Sequence, residues 1–241
     1  MPGKEPIEVL LTREFVIDDY LAKKKLRAKA EPAPPRVITI SRDYGALGEE
    51  IAAGLGQRLG LPVYGTEILE QVAKRARIDK FFLEHFDEQG SAKTTTFLYS
   101  LITGSTATLL SYRRYLYDVV LELAQKDCIL IGRGAHLILQ DRPVFRLRIV
   151  GSRLNCAARI SGETGIGLTE AEQKVAEING KRHQSIVNLF GENFEHCSLE
   201  HAANFDLILN TDRLSVDGAV AITLLAVHET ESYFSHPKAS S

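Results

Sequence analysis

The residues best suited to chemistry lie in Ser41-Arg-Asp-Tyr-Gly-Ala-Leu-Gly48, a short stretch with one arginine, one aspartate and two glycines, followed at once by Glu49 and Glu50. It stands between Val37-Ile-Thr-Ile40, a β-branched run that reads as a strand, and residues 49–59, where Ile51, Ala52, Leu55 and Leu59 make one helical face. A strand that ends in a glycine turn and reopens as a helix aims backbone amides and the positive end of the helix dipole at one spot. Phosphate suits that spot, with the amides of Gly45, Ala46, Leu47, Gly48 and Glu49 as its cradle. The glycines could equally serve only a positive φ or close helix packing, and G-x-x-G by itself does not separate the two.

The same arrangement recurs at Cys128-Ile-Leu-Ile131, which runs into Gly132-Arg-Gly134 and an apolar helix start at Ala135 to Leu139. Ligands of open parallel sheets sit beyond the carboxyl ends of the strands, which is where Arg133 stands. Phe145–Val150 and Phe205–Asn210 read as two further strands, each followed by polar turn residues and a helical segment. Strands alternating with helices imply an α/β fold with a mainly parallel sheet. Residues 66–126 are helical in pattern, with polar breaks at 89–96 and 104–106, and are read as an acceptor-side flap. Residues 164–201, polar, charged and punctuated by glycine, are read as a mobile lid.

Before the core, apolar spacing over residues 7–29 predicts a helical arm that ends in lysines and arginines, and Glu31-Pro-Ala-Pro-Pro35 predicts a stiff linker. Packing on the domain or on a second copy of the chain explains such an arm, which makes it a candidate dimer contact. The organisation expected is therefore an arm and linker over 1–35, a domain over 36–228 and a flexible tail over 229–241.

In its 241 residues, 44% hydrophobic and 25% charged, the chain holds enough apolar material for a packed core. A net charge of -2 and the lack of a basic stripe with interleaved aromatics argue against nucleic acid as the main partner. No apolar run has the length of a membrane span, and MPGKEPIEV has no signal-peptide pattern, so a cytoplasmic location is expected. Cys128, Cys156 and Cys197 form no C-x-x-C pair, and the histidines have no metal-ligand spacing, so no protein-held metal is expected.

Four stretches in order, Val37 to Ala52, Leu61-Pro-Val-Tyr64, Ile129 to Ala135 and Asn204 to Ser215, resemble the cytidylate kinase-like branch of the P-loop nucleoside monophosphate kinases. The resemblance implies a three-layer α/β/α fold with a helical acceptor and lid region. It also implies phosphoryl transfer from ATP, with Mg2+, to a small acceptor such as CMP. The ordinary P-loop pattern, G-x-x-x-x-G-K-[ST], places lysine on the outer phosphates and a hydroxyl on magnesium. Laid on it without gaps, this sequence has Arg42 at the first glycine and Gly48 at the lysine, and Glu50 is read in place of the hydroxyl. Glu50 would then either hold the metal or repel phosphate.

The family has Ser-Arg before its glycines, so Ser41 joins the binding residues and Arg42 replaces the lysine charge; the alternative is that Arg42 pairs with Asp43 or Glu49. By the same resemblance, Arg133, Arg159 and Arg182 neutralise the transferring phosphoryl group, with Lys181 beside them, and Asp212 lies near the base of the donor nucleotide or else caps a helix. Two departures stand out: Gly134 where the family has an aspartate, and Asn179 where it often has an acid. With the lysine and that carboxylate missing, the alternative to an enzyme is a degenerate kinase fold that binds a nucleotide as a sensor or interaction module.

Overall fold

The computed structural model describes residues 34–75, 106–191 and 196–234. The expected arm at 7–29, the middle of the flap and the end of the tail lie outside these residues. The chain divides after Pro34, and apart from that residue everything described belongs to the second unit.

Five strands make the sheet: β1 (Val37–Arg42), β2 (Val63–Tyr64), β3 (Cys128–Ile131), β4 (Phe145–Val150) and β5 (Leu207–Asn210). Their order is β2-β3-β1-β4-β5, and every pairing is parallel. Parallel strands need crossovers, and helices supply them. The described helices are α1 (Gly48–Leu59), α2 (Glu67–Arg75), α3 (Thr106–Leu123), α4 (Ala135–Ile138), α5 (Arg153–Thr164), α6 (Leu168–Phe190) and α7 (Val216–Phe234). Because α7 reaches Phe234, residues 229–234 of the expected flexible tail are helical.

Strand pleating sends alternate side chains to opposite faces, and each face has its own core. Ile38, Ile40, Leu147 and Ile149 pack with Ile51 and Leu55 of α1, Ala157 and Ile160 of α5 and Val220 of α7. On the other face Val37, Cys128 and Leu130 pack with Ile68 and Val72 of α2, Leu116 and Val120 of α3 and Leu139. The result is the three-layer α/β/α architecture expected. β1 is central, and the chain crosses over it from β3 to β4, which opens a crevice at the carboxyl ends of β1 and β3. Among the described residues, no helix is long and apolar enough to cross a membrane.

The helical lid region is built on one long helix. Residues 168–190 are one continuous helix, α6, and Gly180 lies inside it. Its inner stripe explains why. Ala171 and Val175 belong to the first core, and Ile186, Leu189 and Phe190 to the second. A helix anchored in both cores spans from one face of the sheet to the other. At heptad-like spacing the middle of that stripe falls on Asn179 and Arg182.

Candidate functional site

The loop between β1 and α1 carries two left-handed residues, Gly45 (φ 78°) and Leu47 (φ 61°), the second without the freedom of glycine. A Cβ on Gly45 would lie 2.8 Å from the Cys156 carbonyl oxygen, so the loop rests directly on α5. At Gly48 a Cβ would lie 2.4 Å from Cγ of Arg42, because the arginine stem crosses the start of α1. Both glycines thus answer to close approach, and Gly45 to backbone torsion as well. The first turn of α1 leaves amides without intrahelical partners beside Arg42.

Three guanidinium groups gather here. Arg42 donates from Nε and Nη2 to one oxygen of Glu49, at 3.0 and 2.7 Å. Its Nη1 reaches over the second glycine turn, 2.7 Å from where a Gly132 Cβ would stand. In that turn Arg133 is held left-handed (φ 56°) between Gly132 and Gly134, which are left-handed too. Arg182 arrives from α6, donating from Nη1 to the Arg42 carbonyl at 3.0 Å and lying 5.9 Å above the centre of the Tyr44 ring. Burial, then the charges of Arg42 and Arg133, bring the Arg182 guanidinium down to about 10 against the opposing pull of Glu49. Arg133 is lowered as well, by burial and by Arg42, with Tyr112 opposing. Burial would raise the Glu49 carboxyl, yet the charge and hydrogen bonds of Arg42 hold it below its ordinary value. Arg42 takes Glu49, and Arg133 has no carboxylate partner among the described residues, an imbalance that fits an anion.

Helix α6 braces the same loop. The Asn179 side-chain oxygen accepts from the Tyr44 amide at 2.8 Å, one turn from Arg182. The sequence signal for both was two polar residues interrupting an otherwise apolar stripe. Asp43 is taken up from below: its carboxylate receives Nη2 of Arg148 at 2.6 Å, and that β4 arginine is 3% exposed.

The other expected site residues fall in different places. Ser41 turns away from the loop, and its hydroxyl bonds Nδ1 of His136 at 3.2 Å in the core. Pleating sends Ser41 and Arg42 to opposite faces, so only one of the pair can face the crevice. Arg159 is committed to the scaffold, donating to the Gly45 carbonyl at 3.1 Å and to the Thr211 carbonyl at 2.6 Å. Asp212 accepts from the amide of Ser152, the residue that caps α5, at 2.8 Å and so holds the start of that helix. Lys181 pairs with Glu177 on the exposed side of α6. Glu50 is exposed. Counting the P-loop pattern from Arg42 gives the hydroxyl position to Glu49 rather than Glu50, so the earlier placement is corrected by one residue.

Gly134 has its own explanation. A Cβ there would lie 2.2 Å from the Phe190 ring, whose side chain is wholly buried at the end of α6. The ring occupies the space that an aspartate at this position would need.

One solved structure shares this architecture. A protein from Eubacterium ventriosum ATCC 27560, described as uncharacterized, superposes with a TM-score of 0.60 at 17% identity, over 80% of this chain and 98% of its own. A shikimate kinase from Bacteroides thetaiotaomicron aligns at a TM-score of 0.46 and 14% identity, over 80% and 98% of the two chains. A gluconokinase from Sinorhizobium meliloti 1021 aligns at 0.46 and 10%, over 87% and 100%. No protein with a curated description matches the sequence. The profile of the cytidylate kinase-like family matches residues 37–213, well over half of the chain. Since that span holds the loop, its three arginines and the helix that braces them, the chain belongs to the cytidylate kinase-like family.

Proposed function

We propose that this chain transfers the γ-phosphoryl group of ATP to a small acceptor, with a nucleoside monophosphate such as CMP the first candidate, and that residues 36–228 are the working unit. The observation that carries this reading is the convergence of Arg42, Arg133 and Arg182 on one glycine-containing loop, where Glu49 is hydrogen-bonded by Arg42 alone of the three. Phosphoryl transfer asks little covalent chemistry of a protein; positioning and neutralisation of charge do most of the work. Loop amides would receive the donor's phosphates, and Arg42 would supply the charge that the absent lysine supplies elsewhere. Arg133 and Arg182 would face the transferring group. Arg159 and Asp212 act at one remove, by fixing Gly45 and the start of α5.

The donor set fits a phosphoanion. Asp43 and Glu49 are engaged by arginines while Glu50 is exposed, so magnesium would be held mainly through the nucleotide's own phosphates and water, with Glu50 the carboxylate left to meet it. That ion supplies charge neutralisation between donor phosphates. A cytoplasmic location accords with such substrates.

The second reading, a nucleotide-binding module without turnover, draws on the Phe190 ring under Gly134 and on the engagement of Arg42 by Glu49. A coupled ADP-release assay with Mg-ATP against CMP, dCMP, UMP, AMP and GMP separates the two. Acceptor-dependent turnover is expected, falling by about 10²- to 10³-fold in Arg42→Ala. Silence across the panel from folded protein that still binds ATP would favour the second reading.

A further inference from the structure

We infer that Glu49 competes internally with the ligand for Arg42 at the donor end of the site, so that a ligand must bring more contacts than a single phosphate offers. The inference rests on the reading of this loop as a phosphate site. Its observation is separate: Arg42 already has an anion, held by two hydrogen bonds to one Glu49 oxygen. A carboxylate presented to a guanidinium in this way occupies the donors that a phosphate oxygen would take.

The setting makes the contact displaceable. The Glu49 side chain is 59% exposed and that of Arg42 18%, so the carboxylate can swing into water while the arginine stays. The arginine cannot follow easily, because its stem is wedged against Gly48 and its Nη1 lies over Gly132. Arg182 and Arg133 do not compete for Glu49 through any hydrogen bond among the described residues. A ligand must therefore offer Arg42 more than one carboxylate offers. A chain of phosphates does so, because it engages Arg42 while its further charges reach Arg133, Arg182 and the amides of α1. A single phosphate gains little over Glu49. The residue thereby sets a threshold in ligand charge.

Titration calorimetry of inorganic phosphate, pyrophosphate and tripolyphosphate, without magnesium, on the wild-type chain and on Glu49→Gln tests this. The glutamine keeps the shape and removes the charge. Tripolyphosphate affinity should rise by about fivefold, the scale of one exposed ion pair. Pyrophosphate and phosphate affinity should rise by a similar factor, because every ligand that takes Arg42 displaces the same carboxylate. Damage to the fold cannot produce a gain in affinity. Polyphosphate binding by the wild type with no gain in affinity in the variant would overturn the competitor role and leave the phosphate site standing. No binding of any polyphosphate by either protein would remove the site reading and this inference together.

Discussion

Two glycine turns meet in this molecule, each leaving the carboxyl end of a buried strand and each carrying an arginine, yet they hold their arginines by opposite means. Between β1 and α1 the backbone leaves Arg42 in the strand, and a carboxylate seven residues on restrains its guanidinium. Between β3 and α4 no carboxylate pairs with Arg133 among the described residues; three successive left-handed residues set its direction, and Phe190 backs the turn. The first cation is restrained by charge and the second by shape. One turn can thus be tuned by ligand or substitution without refolding, whereas the other is locked to the core.

The largest effect expected is on the shape-held turn. Gly134→Ala puts a Cβ into the buried Phe190 ring and a side chain into a left-handed torsion, at a cost of about 3 kcal/mol in urea unfolding. A loss below about 1 kcal/mol would mean that the ring yields, and that the two turns differ less than their geometry implies.

His136 links the turns, since it follows Gly134 by two residues and bonds Ser41 just before the first loop. Burial, then the charges of Arg146 and Arg148, lower its imidazole to about 3 from an ordinary 6.5. The folded ring stays neutral while the unfolded one takes up a proton, so this contribution is full above pH 6.5 and declines as pH falls toward 3. From pH 7 to pH 5 it removes about 2 kcal/mol of stability. His136→Gln should flatten that slope in unfolding midpoints measured at the two pH values. An unchanged slope would assign the acid sensitivity to other groups.

The smallest effect belongs to the charge-held turn. Gly48→Ala suits a helix start but displaces the Arg42 stem. Stability should fall by about 1 kcal/mol, since the stem rather than the tip of the side chain must shift, while ATP affinity falls roughly tenfold for the loss of one charge-assisted hydrogen bond. A stability loss as large as that of Gly134→Ala would show that Arg42 is as tightly built in as Arg133.

Much of the architecture was legible from local pattern. Cys128–Ile131 and Phe145–Val150 were bounded by their apolar runs, and the α1 face by Ile51, Ala52 and Leu55, because burial on a strand or helix imposes a period on neighbouring residues. β2 escaped, since two half-buried residues carry no period. The glycines and polar residues of the lid region left the extent of its helix unread. The stripe from Ala171 to Leu189 is helical throughout, and its polar centre became intelligible only once both ends were seen to enter different cores.

The candidate site was legible in part. Arg42, Arg133 and Arg182 were visible from motif resemblance, and the pairing of Arg42 with Glu49 was one of two alternatives that residue types allowed. Which alternative holds is a matter of which groups the fold brings within reach. The commitment of Arg159 to Gly45 and Thr211, the turning of Ser41 toward His136 and the bond of Asp212 to Ser152 at the start of α5 all join residues dozens of positions apart.

By itself the sequence determined the alternation of strands and helices, the glycine turns and the supply of arginines, for these are properties of short windows. Only the tertiary structure decided strand order, the span of α6 across the crevice, the Phe190 ring beneath Gly134 and the partner of each charge. Those depend on distances through space, and a hydrogen bond or steric contact is set by ångströms between groups, whatever their separation along the chain.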